Sequence, residues 1–448
     1  MTLIQGDNGR SDIRDRALRH AAVSGLLGRV LVLGFGFASF AVCARSLDSA
    51  SFGVLAVLSS LGLILAVADF GVGLGLVAQL ARASGCDDYS RIRRLIGTAA
   101  ITLTLLGVAT TLILWSLSSV LPLQQLLGAG GVPQADLTDS ARALALAAGL
   151  GLPASLGLQI QIGLQRGAQV VAWSVGEGLM TLSTVSAAGF AGAPLWTFVL
   201  LFLGTPAAVR TVQSVVVLSG SRNAIRPGSS DLHLAGSADL FKVSFFFLVM
   251  AVAAAILAQA GVLIVGHLRG SSLAAELAVT IRLFAAVSST VALAGRQFWP
   301  AASEAIVRGE GDWVILRFHR MLRFALLWSS AGSLLTLMLA KPIISVWVGR
   351  ELVPDVRLLM LAALWTVYSA GMSQIAFLLN AAHVIREQIA TATALTIGNL
   401  ALCWYLTAWL GIYGPYSSAL LAHLTLTGLP AIYLTRRQLR KLRPKISR

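Results

Sequence analysis

Six ionisable residues stand inside long apolar runs of the chain: Arg29, Asp69, Glu177, Arg210, Arg282 and Arg296. Such groups cost roughly 2.5–3.5 kcal/mol each at membrane depth, so they normally face a partner or an aqueous cavity. Four are cationic and two acidic, a surplus that suits an anion. Arginine suits a diphosphate in particular, because its planar fork can hold two oxygens at once. On this reading Arg29, Arg210, Arg282 and Arg296 bind the anion, and Asp69 and Glu177 orient them or carry protons. Each residue also has a plainer reading. Arg29 and Arg296 could snorkel to the membrane surface. Arg29 could instead pair with Asp69, and Arg282 with Glu276. Arg210 follows Pro206, where a broken helix could open toward a cavity. Asp69 sits in Ala68-Asp69-Phe70-Gly71 and could cap freed backbone N–H groups. Glu177, between two glycines, could serve a helix contact. Gln159 and Gln161 follow Pro153 on different helix faces, so at most one faces a cavity.

The elements that must position these groups are membrane helices. Of the 448 residues, 56% are hydrophobic and only 12% charged, and the mean hydropathy is +0.80. A soluble domain carries about a quarter charged residues, and disorder requires low hydrophobicity. Both are excluded. Twelve apolar runs come near the roughly 20 residues that a span needs. They cover 21–44, 52–81, 95–121, 143–164, 170–190 and 194–219, then 243–267, 273–299, 324–348, 358–379, 389–410 and 412–434. The first is too long for the core of a signal peptide. The ninth could re-enter at Pro342. The net charge of +15, on so apolar a chain, points to membrane lipids and not to nucleic acid. Basic residues crowd one side. With an even number of spans, 24 of the 34 fall in the N-terminal arm, the loops on its side and the tail, against 6 in the opposite loops. That predicts both ends in the cytoplasm.

The halves show a faint repeat. Leu55-Ala56-Val57 opens the second run and Leu277-Ala278-Val279 the eighth, 222 residues on. Before them stand Leu47-Asp48-Ser49 and Leu268-Arg269-Gly270. Six spans per half start each half on the same side, so the repeat is parallel. The expected organisation is a cytoplasmic arm (1–20), a first six-helix bundle (21–219), a polar linker (220–240), a second bundle (241–435) and a basic tail (436–448). No phosphate-binding loop, Ser-His-Asp set or metal-ligand spacing occurs, and the external loops are short. His267 and His423 read as packing residues. The expectation is a transporter and not an enzyme, with no cofactor and no metal.

Several passages then look familiar. Arg45-Ser46-Leu47 followed by Phe52-Gly53-Val54-Leu55-Ala56 and Ala68-Asp69-Phe70-Gly71-Val72-Gly73 lie in the first half. Arg282-Leu283-Phe284, Phe298-Trp299-Pro300-Ala301 and Leu379-Asn380-Ala381-Ala382 lie in the second. In order and spacing this set resembles the Wzx-type oligosaccharide flippases of the multidrug/oligosaccharidyl-lipid/polysaccharide exporter superfamily. Phe52 departs from a usual Tyr, His383 from a common Gly, and Arg386 replaces a closer arginine. The resemblance implies an all-α polytopic membrane protein of about 12 transmembrane helices, in two six-helix bundles around a central cavity. It implies translocation of a polyprenyl-diphosphate-linked oligosaccharide (an O-antigen, capsule or exopolysaccharide repeat unit) across the bacterial inner membrane by alternating access. The implied partners are that glycan lipid, an exchanged proton or sodium ion, and glycan polymerases. A cation-coupled multidrug exporter of the same superfamily is the alternative, and a membrane polysaccharide polymerase or ligase a more distant one.

Overall fold

The computed structural model describes residues 27–67, 69–219, 225–228, 237–382 and 384–442. The basic arm (1–20), most of the linker, His383 and the tail beyond 442 lie outside the described residues. Every regular element among the described residues is helical. They are α1 (Leu27–Ser46), α2 (Ser49–Leu65), α3 (Val72–Gly85), α4 (Tyr89–Val120), the single turn α5 (Leu123–Leu126), α6 (Gln134–Ala154), α7 (Leu156–Gly163) and α8 (Gly167–Phe190). There follow α9 (Leu195–Ser219), α10 (Ser237–Arg269), α11 (Ser271–Val307), α12 (Gly311–Trp347), α13 (Val356–Ala381), α14 (Ile385–Leu410), α15 (Gly414–Ala422), a π-helical turn (His423–Gly428) and α16 (Leu429–Leu442). Joining α2 with α3, α6 with α7, and α15 with α16 gives one rod for each of the twelve predicted runs. Nine stretches of the described residues are long and apolar enough to cross a membrane, and one of them, Thr393–Leu442, covers the last two rods. The chain is an all-α, multi-pass membrane protein.

Two expected irregularities are absent. α9 runs unbroken past Pro206 and α12 past Pro342. Each proline removes one backbone hydrogen bond, and the turns on either side are long enough to carry the axis through. The second run does break, between α2 and α3, at Asp69.

The helices form two compact units. The first is built from α1, α3, α4, α6 to α9 and the start of α10. The second takes α2 up to Ile64, α5 with its loop (Pro122–Gln134), α10 from Val252 onward, and α11 to α16. In the first unit, Val72, Leu76, Leu80 and Ala83 of α3 meet Ile92, Ile96, Ala99 and Leu103 of α4. Both sets step by three or four residues, the period of one helix face. Leu156 and Ile160 of α7 and Val217 of α9 complete that core. In the second unit, Phe298 and Ala302 of α11 pack with Val314 and Phe318 of α12 and Leu378 of α13. The opposite face of α4 exposes Leu105, Val108, Leu112 and Ile113. A stripe of that kind marks a lipid-facing helix in a chain of this composition.

The repeat is sharper in the structure than in the sequence. α2 and α11 start 222 residues apart, as do α4 and α12, and α6 and α13. This register aligns Asp48 with Gly270, one residue off the loop alignment expected above. Two caps show how it is built. Asp48 accepts from the Ser51 N–H at 2.8 Å and caps α2, while its counterpart is glycine. Asp88 caps α4 by accepting from the Arg91 N–H at 2.9 Å, and its counterpart Glu310 makes no side-chain cap. The Arg91 N–H, with the Ser90 hydroxyl, holds the Asp88 carboxyl below the ordinary carboxylate range. The two aspartates reach the first free N–H groups of a helix; glutamate is one carbon too long to favour that geometry.

Candidate functional site

The best-defined charged group lies in the first unit, on the α8–α9 hairpin. Arg210 donates through Nε to Glu177 Oε2 at 2.9 Å and through a terminal nitrogen to Oε1 at 2.8 Å. This is a two-pronged ion pair with both side chains partly buried. The helices that carry it are held together nearby by Thr184 and Thr205, whose hydroxyls lie 3.1 Å apart. Beside Glu177, Gly178 lets α1 come close: a Cβ there would stand 3.0 Å from Phe35 Cβ. Glu177 and Arg210 are thus joined across α8 and α9. The signal was available. Both residues lie at similar chain distances from the α8–α9 turn, which puts opposite charges at one depth in neighbouring antiparallel helices.

Asp69 makes the break between α2 and α3. Its carboxylate accepts from the N–H of Gly71 at 2.9 Å and of Gly73 at 3.0 Å. Phe70 has φ +52° and Gly71 φ +75°, two successive left-handed residues that end one helix and aim the next. Glycine is the residue that adopts this without strain, and it stands at one of the two positions. Asp69 thus caps the freed backbone, and it forms no ion pair with Arg29. On α7, Gln159 turns toward this break: a Cβ on Gly73 would meet both Asp69 Oδ2 and Gln159 Nε2 at 2.8 Å.

Gln161 faces the other way. It is buried and accepts from Gln213 Nε2 of α9 at 2.8 Å. One residue on, the Ser214 hydroxyl accepts from the Gly157 N–H at 2.8 Å and donates to the Ala154 carbonyl at 2.9 Å. It joins the α6–α7 interruption to α9, supplying polar partners where the backbone has lost its own. Gln213 and Ser214 were not singled out by sequence, because neither carries charge and nothing in α9 marks which helix it will meet.

The remaining arginines are placed more simply. Arg29 lies exposed on α1. Arg282 is half-buried on α11. Arg296 belongs to the same helix, with its side chain outside the described ones. Among the described residues no group of His, Cys, Asp and Glu could hold a metal ion.

The second unit contains a cavity of about 590 Å³ within its own helices. Ala258, Ala285, Trp365, Asn399, Cys403 and His423 are among its walls, and among the described residues no Asp, Glu, Lys or Arg is. His423 contacts the Trp365 ring edge-on at 4.7 Å, and its Nδ1 lies 2.9 Å from the Ala419 carbonyl. It opens the π-helical turn, which ends two residues before Pro430. Proline has no N–H to give back to Leu426, so the turn there widens instead of continuing as α-helix. None of the residues proposed from sequence as a charged site lines this cavity.

Solved structures match this arrangement over nearly the whole chain. An inward-facing multidrug resistance MATE family transporter of the MOP superfamily superposes with a TM-score of 0.79 at 13% identity, covering 92% of this chain and 95% of that one. This is the fold of the MOP-superfamily transporters. The lipid II flippase MurJ, in an inward closed conformation, shares the MOP fold with a TM-score of 0.69 at 12% identity, over 94% of this chain and 89% of that one. A MOP superfamily transporter from Pyrococcus furiosus, described as having a binding pocket of reverse polarity, gives 0.60 at 11% identity, over 94% and 95%. These MOP-fold neighbours are transporters and a flippase. By sequence, no family profile and no curated protein matches the chain.

Proposed function

We propose that the chain is a Wzx-type flippase, moving a polyprenyl-diphosphate-linked oligosaccharide from the cytoplasmic to the periplasmic leaflet of a bacterial inner membrane. One observation carries this over the other activities found on the fold. Two acids of the membrane interior have partners within the protein: Glu177 is spent on Arg210 and Asp69 on the backbone of its own break. A pump for cationic drugs needs carboxylates that can receive its cargo. Here the surplus is cationic and suits a diphosphate. Arg29, Arg210, Arg282 and Arg296 are the cations assigned to that group, with Glu177 holding Arg210 in position. Both chain ends are cytoplasmic in this reading, a proton or sodium ion is exchanged, and glycan polymerases use the delivered unit.

The test compares a deletion strain with its parent. Accumulated polyprenyl-diphosphate oligosaccharide with loss of surface glycan supports the flippase; unchanged lipid intermediates and glycans count against it. Arg29→Glu should abolish complementation while leaving the protein level unchanged, since Arg29 is exposed. The MATE neighbours favour multidrug export as the second reading, and raised drug susceptibility of the deletion strain with intact glycans would select it.

A further inference from the structure

We propose that the cavity of the second unit is a binding site in its own right, for a neutral, flat apolar molecule that carries a hydroxyl group. The claim does not depend on what the protein translocates. The walls disfavour ionic ligands, since among the described residues no Asp, Glu, Lys or Arg lines the space. Alanines 254, 258, 260 and 285 leave open volume, and Trp365 with His423 edge-on to it forms a fixed aromatic side. The size lies within the range of small-molecule pockets, about 300–1,000 Å³.

The polar groups decide the chemistry. Most of those in the wall are already satisfied by their own helices. Thr366 donates to the Ala362 carbonyl at 2.8 Å, and Ser289 to that of Ala286 at 2.9 Å. One group is not. Asn399 is only 7% exposed, and its Oδ1 is buried without a hydrogen-bond partner. The His423 ring in the same wall already has a contact of its own, with Nδ1 2.9 Å from the Ala419 carbonyl. A buried acceptor without a donor is costly, and this one lines an apolar cavity. A ligand hydroxyl supplies the missing donor. It also serves if the Asn399 amide is turned end for end, because a hydroxyl accepts as well as donates. A purely apolar ligand would leave the Asn399 oxygen unmet, and a charged one would find no counter-ion among the described walls.

The test uses the full-length protein in lipid nanodiscs and three probes: pyrene, 1-hydroxypyrene and 1-methoxypyrene. Binding is read by energy transfer from tryptophan, with empty nanodiscs as the partition blank. The expected result is saturable binding of 1-hydroxypyrene at least tenfold tighter than of the other two, since the methoxy group cannot donate. Asn399→Leu should erase that preference, bringing all three probes together. Ala258→Phe, which fills the space, should abolish saturable binding of all three. Equal affinity of the three probes for the unaltered protein would overturn the proposal without recourse to any variant. So would absence of saturable 1-hydroxypyrene binding, or binding that survives Ala258→Phe in a protein of normal melting temperature.

Discussion

α2 and α11 are repeat mates, and they behave differently over the same stretch. α2 stops at Leu65 and the chain resumes as α3 at Val72, whereas α11 runs from Ser271 to Val307 without interruption. In the shared register Asp69-Phe70-Gly71 stand opposite Val291-Ala292-Leu293. The first triplet offers a carboxylate to cap free N–H groups and a glycine to turn left-handed; the second offers three residues that keep a helix going. A bend at one of two equivalent places therefore needs no tertiary force to explain it. Three residues suffice, and the polar group that makes the bend is also an acid within a span.

This contrast can be broken directly. Replacing Asp69-Phe70-Gly71 by Val-Ala-Leu should fuse α2 and α3, and transport in the complementation assay should be lost. Asp69→Leu alone should be nearly as harmful, because two N–H groups lose a charged acceptor, each such bond contributing about 1.5–3 kcal/mol; Asp69→Asn, which keeps one acceptor, should be milder. Melting temperature in detergent orders the three.

A second contrast lies a few turns earlier. A Cβ on Gly53 would overlap the Ser271 carbonyl, while its repeat mate is Ala275, fully buried. Gly53→Ala should cost about 1–3 kcal/mol through overpacking. Ala275→Gly should cost about 1 kcal/mol from helix propensity. Equal losses would mean that the close approach at Gly53 is not a constraint.

Next in size is the Glu177–Arg210 pair. Glu177→Ala leaves Arg210 without its partner and should cost about 1–2 kcal/mol, below the value for a fully buried pair because both side chains keep some exposure. The exchange Glu177→Arg with Arg210→Glu should recover most of the stability. If it also recovers transport, the pair is structural, and Arg210 loses its role toward the cargo.

The smallest effects concern the caps. Glu310→Asp should give α12 the cap that α4 already has, raising stability by about 1 kcal/mol or less. The Asp88 carboxyl is held low in the folded protein. Its stabilising contribution is therefore present above the ordinary carboxylate pKa of about 3.9 and fades as the pH falls through the lower folded value. Asp88→Asn, compared with the parent by melting at pH 7 and pH 3, should show a larger difference at the higher pH.

The sequence carried the helices and little of what happens between them. Twelve apolar runs became twelve rods because span length is a property of the chain alone. The Asp69 cap was legible for the same reason: its donors are two and four residues away. The prolines misled at positions 206 and 342, since a proline states only which bond is missing, not whether the flanking turns hold. Gln161–Gln213 and Ser214–Gly157 join residues more than fifty positions apart. No local pattern announces such pairs. The cavity around Asn399 was still less visible. His423 read as a packing residue, and it does pack against Trp365, but the space beside it is made by alanines, which look in a sequence like any other apolar filler.

The shared start register has a further consequence. Between α2 and α6 in one half, and between α11 and α13 in the other, the number of residues agrees while the residues themselves hardly do. Later, α8 and α14 start 218 residues apart and α9 and α15 start 219 apart, so the agreement has lapsed. What the two halves hold in common is a ruler more than a text. Over that first stretch, adding or deleting one residue should be tolerated less well than exchanging any of several side chains, and past α7 the order should reverse.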